Sequence, residues 1–80
     1  MMKVIVTPKA QKHFSQLPVS EQKKIKKKLL VLETDSFAGK KLSGELSELR
    51  SLRAWPYRII YYINSDRIFI TSIVHRQSVY

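Results

Sequence analysis

The chain has no cysteine, two glycines, three prolines and six carboxylates against fifteen lysines and arginines in its 80 residues. Each shortage excludes something. Without cysteine there is no disulfide and no thiolate metal site. Two glycines leave no glycine-rich phosphate loop. His13 and His75 stand far apart, and neither has a second ligand at metal spacing. There is no carboxylate pair for metal-assisted phosphoryl chemistry and no Ser-His-Asp arrangement. No apolar run approaches the length of a membrane span. The opening stretch through Val6 and Thr7 is a strand of about five residues, too short for the apolar region of a signal peptide. These absences predict a cytoplasmic protein that works without metal, cofactor or membrane.

What is there is positive charge, +9 in all. Such a field favours nucleic acid, an anionic surface or an acidic protein partner. The charge is also divided by type. Ten lysines fall before residue 42 and five arginines after residue 49. Lysine on a helix gives a solvated positive field, whereas arginine in an apolar strand presents a rigid donor fork matched to phosphate oxygens.

At this length the chain makes one small domain, 1–80, burying roughly 60% of its unfolded surface. Lys3-Val4-Ile5-Val6-Thr7 is β-branched and reads as a strand. Thr7 as cap and Pro8 at the first helical position open a helix with Ala10, Phe14 and Leu17 on its core face, which Leu17-Pro18 ends. Ser20 followed by Glu21 and Gln22 predicts the start of a second helix, with Ile25, Leu29 and Leu32 as its apolar stripe. Residues 34–48 read as a loop. Strands are predicted at Leu49–Arg53, Tyr57–Ile63 and Arg67–Val74, the last two joined by a turn at Asn64-Ser65-Asp66. The order β-α-α-β-β-β implies an α+β fold: a mainly antiparallel twisted sheet with a helical hairpin on one face.

Five lysines in six positions, Lys23, Lys24, Lys26, Lys27 and Lys28, exceed what solubility of an amphipathic helix requires. Lys23, Lys24, Lys27 and Lys28, with Lys40, Lys41 and Arg50, are therefore candidate RNA contacts; contacts of this kind position a ligand without reading its sequence. Arg58 lies in a strand that otherwise favours burial, with few carboxylates nearby to pair it, so an incoming anion is its natural partner. Arg76 offers a second fork, and His75 supplies an imidazole, a side chain suited to proton transfer. Arginines, a histidine and a tyrosine suffice to cut RNA without metal, because the 2′-hydroxyl is an internal nucleophile.

The layout Thr7-Pro8-Lys9-Ala10 with Phe14 and Leu17-Pro18, then Lys41-Leu42-Ser43-Gly44, Leu52-Arg53, Tyr57-Arg58-Ile59-Ile60-Tyr61, and His75-Arg76 with Tyr80, resembles the RelE/ParE toxin superfamily over nearly the whole chain. The resemblance implies a RelE-like fold and a toxin held inactive by an acidic antitoxin. In the RelE branch it implies a ribosome-dependent endoribonuclease (an mRNA interferase) that cuts mRNA in the A site and inhibits translation. Arg58, Arg76 and Tyr80 then match the family's catalytic positions, with Arg53 supporting the RNA backbone and His75 or Tyr80 relaying protons. The best-known branch has two catalytic lysines where this chain has Leu49 and Ser51; Arg50 and Arg53 are the nearest cations there, and His75 or a loop lysine such as Lys41 would substitute. Two alternatives remain: a ParE-like inhibitor of DNA gyrase, and a catalytically silent module that binds RNA or antitoxin.

Overall fold

The computed structural model describes residues 2–42 and 48–75. The β-branched run forms β1, Lys3–Val6. Helix α1, Pro8–Ser15, begins as its sequence dictates. Thr7 Oγ1 accepts from the Ala10 amide at 3.4 Å, and Pro8 sits where no donor is needed. Helix α2, Val19–Thr34, starts one residue ahead of the expected Ser20. The Pro18 carbonyl already accepts from the Glu21 and Gln22 amides at 3.0 and 2.9 Å, so the turn closes without a side-chain cap. Gln22 Nε2 donates to the carbonyls of Phe14 and Leu17, each at 3.1 Å, and fastens the two helices at their junction.

Three longer strands follow: β3, Arg50–Ala54; β4, Tyr57–Asn64; and β5, Arg67–His75, with a two-residue strand β2, Lys40–Lys41, before them. They form one sheet in the order β1-β5-β4-β3-β2, antiparallel except where β1 runs parallel to β5. The turn between β4 and β5 has Ser65 at φ 58°, the left-handed conformation that a two-residue hairpin loop demands. β2 lies inside the stretch expected to be loop. Its two lysines pair with Arg50 and Ser51, and the Leu42 amide extends the ladder to the Leu49 carbonyl at 3.0 Å.

The sheet has two distinct faces. Ile59, Tyr61, Ile68, Ile70 and Ile73, with Leu52 and Ala54, join Ala10, Ile25 and Leu32 of the helices in one buried cluster. This is the α+β arrangement predicted from the apolar stripes of the two helices. Alternation puts Ser51, Arg53, Arg58, Tyr62 and Phe69 on the opposite face, where neither described helix packs. Beyond Ile70 the β1 side of β5 has no strand to pair with, and α1 covers it. Thr7 Oγ1 donates to the Ile70 carbonyl at 2.7 Å, and the Ile73 amide donates to His13 Nδ1 at 3.1 Å.

Candidate functional site

Arg53 and Arg58 face each other directly across β3 and β4 on the helix-free side. Both are exposed, and among the described residues neither guanidinium has a hydrogen bond or a carboxylate partner. The five strands contain no aspartate or glutamate at all. Lys40 pairs with Ser51, two residues from Arg53 on the same strand. Lys40, Lys41, Leu42, Ser51, Arg53 and Arg58 together line a cleft of about 520 Å³. Four cations around one hollow, with no acid among its lining residues, are chemically suited to a phosphate or a similar anion.

A device on the other side of the sheet holds β2 in place. Tyr61 is fully buried, and its hydroxyl donates to the Ser36 carbonyl at 2.9 Å while accepting from the Gly39 amide at 3.0 Å. A side chain at residue 39 would set its Cβ 2.7 Å from that hydroxyl oxygen, so only glycine allows the approach. Arg50 Nη1 donates to the Gly39 carbonyl at 2.9 Å, and its guanidinium lies 4.7 Å from the centre of the Phe37 ring. The loop is thereby buckled onto the sheet immediately before Lys40. Burial pushes the Tyr61 hydroxyl above its ordinary pKa of 10.0, opposed in part by the Gly39 amide and the Arg50 charge.

The structure unites some of the expected residues and separates others. Arg53, Arg58, Lys40 and Lys41 meet at the cleft. Arg50, expected to contact RNA, donates from Nη1 to the Gly39 carbonyl and lies over the Phe37 ring. Lys24 is likewise engaged within the fold, donating to the Trp55 carbonyl at 2.8 Å and lying 3.3 Å from Glu21. Lys23 and Lys27 are exposed and Lys28 half-buried, but α2 packs on the far face of the sheet from the cleft. The lysine helix and the arginine cleft are therefore two separate surfaces.

His75 does not join Arg58. It pairs with Tyr57, and their rings meet edge to face with centroids 5.4 Å apart. Tyr57 and Arg58, as consecutive strand residues, point to opposite faces. Arg76 and Tyr80 lie outside the described residues. The Tyr61–Gly39 buckle escaped the sequence reading, although a lone glycine just before a lysine pair was its one visible sign.

A family model described as the ParE toxin of type II toxin-antitoxin system, parDE, matches residues 4–80. No curated protein matches the chain. Among solved structures, the chain is similar to one in the toxin-antitoxin complex RelBE2 from Mycobacterium tuberculosis. The two are 25% identical, with a TM-score of 0.87 over 94% of this chain and 98% of that one. The isolated E. coli RelE toxin is 22% identical, with a TM-score of 0.78 over 94% of this chain and 84% of its own. A chain of the chromosomal ParDE system from P. aeruginosa is 18% identical, with a TM-score of 0.74 over 94% of this chain and 96% of its own. The last two share the fold. With the family match spanning nearly its whole length, the chain belongs to the ParE toxin family, within the RelE/ParE superfamily, and is a toxin of a type II toxin-antitoxin system.

Proposed function

We propose that this toxin is an endoribonuclease that cuts mRNA in the ribosomal A site without a metal ion. The observation that carries the reading is the cleft where Lys40, Lys41, Arg53 and Arg58 converge. In the reaction the 2′-hydroxyl attacks the adjacent phosphorus, the bond to the 5′-oxygen breaks, and a 2′,3′-cyclic phosphate remains. Charge builds on the non-bridging oxygens, and guanidinium and ammonium donors fixed around them stabilise it without reorganisation. Arg58 and Arg53 are the central donors, with Lys40 and Lys41 at the rim. Lys40 stands opposite Ser51, one of the two positions where the superfamily's best-known branch carries lysines, and is a candidate to supply the missing cation. Arg76 is expected to add a fork and Tyr80 to relay the proton of the attacking 2′-hydroxyl to the leaving 5′-oxygen. The edge-to-face contact with Tyr57 argues against His75 as the relay.

The lysines of α2, on the other side of the sheet, suit ribosomal RNA rather than the scissile strand. An acidic antitoxin would screen both surfaces and stabilise the fold by mass action. The similar chains in RelBE2 and ParDE come from toxin–antitoxin systems.

Primer extension on a defined mRNA, with and without ribosomes, tests the proposal. New 5′ ends in the coding region that need ribosomes support it. The match to a family described as ParE toxins favours a second reading, inhibition of DNA gyrase. That reading requires trapped, cleaved DNA in a gyrase assay and an intact mRNA.

A further inference from the structure

β2 is two lysines long and lies at the edge of the sheet, with no described strand on its outer side. Lysine has little preference for strand, and so short a ladder needs an outside hold to stay in register. The hold is on Gly39, the residue just before Lys40, and it takes both backbone groups of that residue. The Gly39 amide donates to the Tyr61 hydroxyl at 3.0 Å, and the Gly39 carbonyl accepts from Arg50 Nη1 at 2.9 Å. Tyr61 and Arg50 are themselves partners, directly opposite on β4 and β3, so both side chains leave the same face of the sheet.

The Arg50 guanidinium is fixed in its turn. The Phe37 ring, 65% exposed, has its centre 4.7 Å from it, so this phenylalanine serves as a plate for the cation. Glu48 lines the same hollow, but among the described residues no carboxylate forms an ion pair with Arg50. Arg50 is also absent from the residues that line the cationic cleft. Lys40 pairs with Ser51, the residue after Arg50, and alternation turns it to the opposite face, toward the cleft. The clasp is made on the helix side of the sheet, and its consequence is felt on the other.

We propose that Arg50 is a positioning residue of the cleft: by holding the Gly39 carbonyl it sets the backbone from which Lys40 and Lys41 reach the scissile phosphate. The inference rests on the endoribonuclease reading above. Arg50 touches no substrate, and it raises the rate only through the lysines of β2.

The test measures cleavage on ribosomes programmed with a defined mRNA. The full chain and Arg50→Ala are compared, each with and without the pair Lys40→Ala and Lys41→Ala. Arg50→Ala should lower kcat roughly 10-fold and leave KM unchanged, since a misplaced charge costs rate rather than capture. In the chain lacking both lysines the same change should cost nothing further, because residues that act as a unit do not add. Exchange of the Leu42 amide, which donates to the Leu49 carbonyl in the same ladder, should quicken in Arg50→Ala while buried Ile59 keeps its protection. Arg50→Lys keeps the charge and a donor but loses the flat stack on Phe37. It should show a smaller loss of the same kind, and it stands in if Arg50→Ala does not fold. A loss that persists without the lysines, or that lies in KM, would make Arg50 a direct RNA contact. That result would overturn the inference, as would no loss at all, and either would leave the endoribonuclease reading standing. Folded, unaltered toxin that cuts no mRNA would overturn the reading and the role of Arg50 together.

Discussion

Arg53 and Arg58 stand directly opposite one another on adjacent strands, with no acidic residue among the described residues of the sheet. Like charges so placed cost up to about 1 kcal/mol, since cross-strand pairs are the unit of sheet stability. A fold under no other demand would have relieved them. Arg58→Thr should therefore hold or raise the urea midpoint, by up to about 1 kcal/mol in stability. Arg58→Ala should cut mRNA at least about 100-fold more slowly on programmed ribosomes. Unchanged cleavage by folded Arg58→Ala removes that arginine from the site.

The two basic surfaces should separate in kinetics. Lys40→Ala should slow cleavage at saturating ribosomes by about 10-fold or more, since Lys40 lines the cleft. Lys23→Ala with Lys27→Ala should leave that rate intact. The pair should weaken ribosome binding and flatten its salt dependence by about one unit of slope per lysine. Equal effects on the catalytic step from both surfaces would show that the division is wrong.

Tyr61→Phe should destabilise the fold by about 1–3 kcal/mol, because the buried Gly39 amide and Ser36 carbonyl lose their shared partner. The pH dependence carries a sign as well. The folded chain holds the Tyr61 proton more tightly than the unfolded chain, whose ordinary pKa is 10.0. Above that value the folded state binds more protons, so raising the pH favours unfolding. The stabilisation is complete below pH 10.0 and declines as pH climbs through the raised folded value. Urea midpoints between mildly and strongly alkaline pH should fall more steeply for the natural chain than for Tyr61→Phe. Parallel curves would refute the assignment.

His13→Ala should leave the Ile73 amide without an acceptor on the side of β5 that β1 does not cover. Hydrogen exchange at Ile73 should quicken, with global stability lowered by about 1–2 kcal/mol. Unaltered protection of Ile73 would mean that the contact contributes little.

Local chemistry carried most of the fold. Thr7 and Pro8 start α1, the turn at Ser65 closes the β4–β5 hairpin, and the stripe of Ile25, Leu29 and Leu32 turns α2 inward. Arg58 was legible as a candidate because charge in an apolar strand is costly without a purpose, whereas its pairing with Arg53 was not, because it depends on the register of β3 against β4. β2 was not legible. Two lysines have no strand preference of their own, and they pair only because Tyr61 and Gly39, 22 residues apart in the chain, hold the preceding loop. The orientation of His75 was hidden for another reason. Continuing the Asn64–Arg67 register without interruption would set His75 opposite Pro56, on the face of Arg58. An extra residue on β5, Thr71, intervenes between the Ile60–Ser72 and Tyr61–Ile70 pairs, and its hydroxyl donates to the Ile60 carbonyl at 3.1 Å. A single bulge thus moves every later side chain of β5 to the other face.

The buckle of Tyr61 on Ser36 and Gly39 has an evolutionary corollary. On the proposed role of the cleft, drift at residue 39 or 61 would disarm the toxin from behind, letting the two lysines of β2 wander while every cationic side chain of the cleft stayed in the gene. Such a lineage would look armed by an inventory of its cleft and yet be harmless to its host. Its antitoxin would then be under no pressure to persist.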